Sequence, residues 1–128
     1  MMGVEEYYIR REGSPRAAPE EDEYYSSRPP GVKFDDEKPR PGLVLMGMAR
    51  ALWEVGEVAT FGARKYTADG WTTVPDGEQR YTNAMLRHLM AEAVGEESDA
   101  ESGLRHAAHT AWNALARLDL MIRREEGS

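Results

Sequence analysis

The chain has three histidines, His88, His106 and His109, all in its last third. His106, His109 and Asn113 follow each other at i, i+3 and i+7. At about 100° per residue this spacing puts two imidazoles and a carboxamide on one face of a helix. Such a strip can take a transition metal, a phosphate or a base. The competing reading is a half-buried polar pair satisfied inside a bundle. His88 lies on a separate helical segment beside Arg87, with Glu92 one turn further on. A carboxylate touching an imidazole orients it and raises its basicity, as in a general-base pair; the alternative is a surface pair without a role.

Glu54 and Glu57 stand at i and i+3. Two carboxylates on adjacent helical turns suit Mg²⁺, a hard cation that prefers oxygen ligands. Arg50 and Arg64 accompany them, so a solvated face of ion pairs explains the same residues. The segment TFGARKY (60–66), followed by Trp71, is the other dense stretch. Lys65 and Arg64 can neutralise phosphate there, and Tyr66 or Trp71 can stack on a base. Lys33, Lys38 and Arg40, in KFDDEKPR, add cations; a charged linker is the plain reading of that stretch.

Three helices must position these groups. Leu45, Met48, Ala49, Leu52, Val55 and Ala59 recur at helical spacing and predict one helix from about Leu43 to Lys65. Turn residues fill 67–79. A second helix is expected from about Arg80 to Val94, with Thr82, Leu86, Leu89 and Ala93 inward and Gly95 ending it. GEESDAESG (95–103) connects it to a third, from about Gly103 to Arg124, with Asp99 or Ser102 as N-cap. On the third helix the apolar stripe Leu104, Ala108, Ala111, Leu115, Leu118 and Ile122 points almost opposite to the histidines, so core packing does not obviously explain them. The expected fold is an all-α small bundle of about three main helices. Six of the seven prolines fall in the first 41 residues, so residues 1–32 read as an extended or flexible arm and 33–128 as the helical domain. Trp53, Phe61 and Trp112 lie off the main stripes, which predicts a homo-oligomer, a dimer or tetramer.

The composition excludes several classes. With 128 residues, 41% apolar and 30% charged, the chain fits one small globular domain. A net charge of −7 argues against general nucleic-acid or membrane-surface binding. Absence of cysteine excludes disulfides and thiolate metal sites, and three histidines are too few for a structural zinc site built of histidine alone. No apolar run approaches the roughly 20 residues that span a bilayer. The start, MMGVEEYYIRREG, carries no signal-like apolar stretch. A cytoplasmic location follows as the expectation.

The ordered set KFDDEKPR, TFGARKY, Trp71, LRHL, GEESDAESG and HAAHTAWNAL resembles the phage and prophage domain described as the N-terminal part of dATP/dGTP diphosphohydrolases. That group is similar to the all-α MazG-like nucleoside triphosphate pyrophosphohydrolases. The likeness spans about Lys33 to Leu120. It implies a helical, usually oligomeric protein that acts on deoxynucleoside triphosphates with Mg²⁺, or Mn²⁺ in its place. MazG-like enzymes pair an ExxE on one helix with an ExxD on a later one. Glu54 and Glu57 match the first; His106 and His109 stand where the second is looked for.

The resulting expectation is a dNTP pyrophosphohydrolase. Glu54, Glu57, His106 and His109 carry the chemistry, with Glu54, Glu57 and His109 toward the metal. Lys33, Arg40, Lys65, Arg87, His88 and Asn113 serve the substrate, with Tyr66 and Trp71 on the base. Two other readings stay open: a non-catalytic protein that sequesters a nucleotide, favoured by the missing ExxD, and a structural or assembly protein.

Overall fold

The computed structural model of the protein describes residues 30–127. Most of the expected N-terminal arm, up to residue 29, lies outside them. The chain divides into two units at Pro41/Gly42. In the described part of the first, residues 30–41 are exposed, and the Lys38 amide donates to the Asp35 carbonyl at 3.0 Å to form a turn.

The second unit is helical: α1 (Gly42–Leu45), α2 (Ala49–Lys65), a 3₁₀ turn (Gly70–Thr73), α3 (Gly77–Ala93) and α4 (His106–Gly127). Among the described residues the only β feature is an isolated antiparallel bridge between Ser98 and Arg105. All three expected long helices are present.

The first is interrupted where one continuous helix is predicted. The amide of Gly47 reaches back five residues to the Gly42 carbonyl at 3.3 Å. A Cβ at Gly47 would sit 2.4 Å from the Leu43 carbonyl oxygen. Glycine therefore permits a kinked junction that the apolar spacing does not reveal. At the end of α3, Gly95 has φ +100°, and the Glu96 amide bonds the Ala91 carbonyl at 3.0 Å. This is the left-handed helix stop expected of that glycine.

α4 packs chiefly on α3 and less extensively on α2. The face it buries is not its most apolar one. His106, Ala108, His109, Asn113 and Ala116 are buried, whereas Leu115 and Leu118 are 49% and 47% exposed. The histidine strip is thus packed inside the bundle, although the apolar stripe points almost opposite to it. Leu86 and Leu89, expected inward on α3, are exposed as well, and Val58 is the buried residue of α2. The reason is the partner: α3 offers His88 to the histidine strip, and an imidazole can be buried once its nitrogens are satisfied. Among the described residues the buried apolar set is Val58, Ala108 and Ala116, a very small core.

Aromatic residues close the other end of the α3–α4 contact. Trp112 takes Tyr81 and Trp71 edge-on, at 5.5 and 6.2 Å between centroids. The Tyr81 hydroxyl donates to the Trp71 carbonyl at 2.8 Å, and the Arg123 guanidinium lies 5.2 Å from the centre of the Trp71 ring.

Candidate functional site

The three histidines meet. His88 comes from the middle of α3, His106 from the first residue of α4 and His109 from one turn later. Nδ1 of His88 and Nδ1 of His106 are 2.8 Å apart. The His88 ring stacks on His109, centroids 4.4 Å apart and planes 8° from parallel. Nε2 of His106 faces Glu96 Oε1 at 3.1 Å, and Nε2 of His109 faces the Ser102 hydroxyl at 2.7 Å.

The connection from Gly95 to Arg105 holds the acidic side of this cluster. It folds back on itself through Asp99 N–H to the Leu104 carbonyl at 2.8 Å, Gly103 N–H to the Asp99 carbonyl at 2.7 Å and His106 N–H to the Glu97 carbonyl at 2.9 Å. Gly103 takes φ +74° at the corner. The Asp99 carboxylate accepts the Ser102 amide at 2.8 Å, and the Ser102 hydroxyl accepts the Leu104 amide at 3.1 Å. Asp99 and Ser102, expected to cap α4, instead brace the loop preceding it. Donor atoms of His88, Asp99 and His106 all lie within 4.8 Å of one another. Asp99 Oδ2 is also 3.9 Å from His109 Nε2.

Burial governs the charge of the cluster. It pushes His88 below the ordinary histidine range, reinforced by repulsion from His109 and His106. His109 is lowered by burial too, against the pull of Asp99. Burial acts to raise Asp99, but the Ser102 amide and hydroxyl bonds and the nearby imidazoles outweigh it and leave the carboxyl below its usual range. Near neutrality the site therefore holds uncharged His88 and His109 beside a carboxylate.

The remaining candidates lie outside this cluster. Asn113 is buried, and its Nδ2 donates to the His109 carbonyl at 2.8 Å. Glu54 accepts from Arg105 Nε at 2.8 Å, and Arg105 also reaches Glu97 at 3.3 Å, so α2 is tied to the segment opening α4. Glu57 lines a cavity of about 740 Å³ with Trp53, Phe61, Arg64, Ser102 and Leu104. Lys65 pairs with Glu101, and that bond raises its pKa above the ordinary lysine value. Tyr66 is exposed, and the Lys65 ammonium lies 5.3 Å from its ring centre. Arg87 is exposed beside His88, Trp71 belongs to the aromatic cluster, and Lys33 and Arg40 are exposed in the unit before Gly42. His88 meets the other two histidines rather than its expected partner, Glu92.

Sequence reasoning missed Glu96 and Arg105 as members of the site and gave Asp99 and Ser102 only capping roles. The available signal was the acidic, serine- and glycine-containing loop lying between His88 and His106.

An all-helical unit whose buried centre is a histidine–carboxylate network, opening on a cavity through Ser102, describes the class. The chain belongs to the family described as dATP/dGTP diphosphohydrolase, N-terminal, which it matches over residues 28–128. It is also similar to a dATP/dGTP diphosphohydrolase of Salmonella phage PMBT28, 33% identical over 81 residues. The likeness takes in 63% of this chain and 26% of that relative's length. No solved structure matches. No helix among the described residues is long and apolar enough to cross a membrane.

Proposed function

We propose that the chain acts in the hydrolysis of deoxynucleoside triphosphates of the dATP/dGTP kind, with Mg²⁺, as a phage-type diphosphohydrolase. The observation that carries the reading is the cavity of about 740 Å³, a size suited to a nucleotide. Its walls combine Leu45, Leu52, Trp53 and Phe61 with Glu57, Arg64 and Ser102. Flat aromatic rings suit a base, and a guanidinium suits phosphate oxygens. Ser102 links this cavity to His109.

The donor set for Mg²⁺ is Glu54 and Glu57, whose carboxylate oxygens suit a hard cation as the imidazoles do not. When bound, the ion neutralises phosphate charge and polarises a phosphoryl oxygen. The chain's own residues do the rest. Arg64, Lys65 and Arg87 balance the triphosphate. Uncharged His109, through the Ser102 hydroxyl, accepts a proton from a nucleophile reaching the cavity, and His88 and Asn113 hold the His109 ring and backbone in place. Tyr66 and Trp53 supply stacking surface. Trp71, Trp112 and Arg123 serve the fold rather than the base.

A second copy of the chain covers the exposed Leu115–Leu118 stripe, since Val58, Ala108 and Ala116, the buried apolar residues among those described, are a slight core for a monomer. One specific observation favours a binding role without turnover: Glu54 is already paired with Arg105, and α4 presents imidazoles where a second acidic pair is absent.

The test is incubation of the full chain with each dNTP and Mg²⁺, with products resolved by chromatography. A monophosphate product from dATP or dGTP, lost in Glu57→Gln, supports the enzyme. Tight binding without product, weakened in Ser102→Ala, supports the binder. Neither turnover nor binding with any dNTP overturns both.

A further inference from the structure

We propose that His88, Asp99 and His106 form a site for a borderline divalent transition cation of the Zn²⁺ class, distinct from the carboxylates assigned to Mg²⁺. The ion would clip together α3, the Gly95–Arg105 loop and the first turn of α4. The inference does not rest on the nucleotide reading: its ligands lie outside the Mg²⁺ donor pair, and it takes another class of metal.

The first ground is convergence. Two nitrogens and one carboxylate, from three separate segments, have donor atoms within 4.8 Å of each other. Zinc binds imidazole nitrogen and carboxylate oxygen at about 2.0–2.2 Å, which in a tetrahedron spaces the donors by roughly 3.4 Å. The two Nδ1 atoms, now 2.8 Å apart, need to open by about half an ångström, and Asp99 needs to close. Both shifts are within the reach of side chains on a loop and two helix faces.

The second ground is the arrangement around the donors. His88 and His106 face each other through Nδ1, which places one proton between two ring nitrogens. A cation at that point takes both Nδ1 lone pairs once that proton has moved to Nε2 of its own ring. His106 turns its other nitrogen to the Glu96 carboxylate at 3.1 Å. That is the carboxylate–histidine pairing that fixes tautomer and ring orientation at metal sites, and it leaves Nδ1 of His106 as the lone pair. The ring of His88 is held by stacking on His109, and Asp99 by the Ser102 amide. Asp99 and Glu96 put two carboxyl groups at the site.

The third ground is need. The chain has no cysteine to cross-link its loop, and its buried apolar residues among those described are one valine and two alanines. Small domains with so little core commonly draw stability from a metal. Imidazole donors favour Zn²⁺, Co²⁺ or Ni²⁺ over Mg²⁺.

The test uses the untagged full chain, stripped with EDTA and dialysed. Zn²⁺ is titrated calorimetrically, and Co²⁺ is followed by its visible d–d absorption. The expected result is one ion per chain, a thermal midpoint raised by Zn²⁺ and Co²⁺ but not by equimolar Mg²⁺, and a Co²⁺ spectrum of low coordination number. Asp99→Asn and His88→Gln are each expected to weaken Zn²⁺ at least about 100-fold, and Glu96→Gln by about 10–100-fold. Glu57→Gln leaves Zn²⁺ affinity unchanged. Should His88→Gln fail to fold, Asp99→Asn, a change in the loop, decides. Absence of stoichiometric Zn²⁺ binding, or equal binding by wild type and Asp99→Asn, overturns the proposal. Either result is independent of whether any dNTP is hydrolysed.

Discussion

His88 and His109, from different helices, lie face to face with ring centroids 4.4 Å apart and planes 8° from parallel. This stack, with the 2.8 Å approach of His88 to His106, explains why α4 buries its polar strip. An imidazole pair that is stacked and hydrogen-bonded loses little on leaving water, whereas an unpaired one would lose several kcal/mol. The α3–α4 contact is thus organised by a polar network, with the leucines left outside.

The network makes stability pH-dependent. His88 and His109 have folded pKa values below the ordinary value of about 6.5. Above that value both are neutral in the folded and unfolded chain and add no pH dependence. As pH falls below it, the unfolded chain takes up protons first, so stability drops progressively through the folded pKa values. Asp99, lowered in the folded state, adds a further loss at more acid pH, below the ordinary carboxylate range. Thermal midpoints measured in EDTA from pH 8 to 5 are expected to be level above pH 7 and to decline below 6.5. His109→Gln should flatten that decline. A midpoint that rises on acidification would contradict this account.

Gly47 sets the α1–α2 junction. A methyl group there would lie 2.4 Å from the Leu43 carbonyl oxygen, a backbone atom that cannot move without reshaping the turn. Gly47→Ala is expected to cost about 1–3 kcal/mol in urea unfolding. Gly62→Ala, inside α2 with nothing within 4 Å of the added carbon, should be neutral or stabilising by up to about 1 kcal/mol.

Asn113 couples α4 to the site. Its buried Nδ2 donates to the His109 carbonyl, so Asn113→Ala removes a hydrogen bond and leaves a small void. The expected loss is about 1–3 kcal/mol. Chemical denaturation measures it, and a change below about 0.5 kcal/mol would show the amide to be dispensable.

The Leu115–Leu118 stripe tests assembly. Leu118→Glu is expected to leave the far-ultraviolet dichroism intact and to lower the mass measured by light scattering to that of a monomer. A wild-type chain that is itself monomeric at all concentrations would remove the need for a second copy.

Sequence periodicity was sufficient for the helices, because apolar spacing and the Gly95 stop are local features. It could not choose between the two opposed faces of α4. Leu115 and Leu118 mark one, His106 and His109 the other, and only His88 on α3 decides which is buried. The Gly47 kink escaped for a similar reason, since it depends on a carbonyl four residues back rather than on residue type. At the site, the spacing of His106, His109 and Asn113 revealed the strip, but Asp99 and Glu96 could not be joined to it. Their positions depend on how the Gly95–Arg105 loop folds back, through hydrogen bonds that leave no periodic trace.

The proposed role of the cavity beside Ser102 is the handling of deoxynucleoside triphosphates. Its most direct test is release of a nucleoside monophosphate from dGTP by the full chain in Mg²⁺, comparing wild type with Glu57→Gln. Turnover is expected that the variant lowers at least about 100-fold, while a fluorescent dGTP analogue still binds it. Equal rates in both proteins, or neither turnover nor nucleotide binding by the wild type, would contradict it.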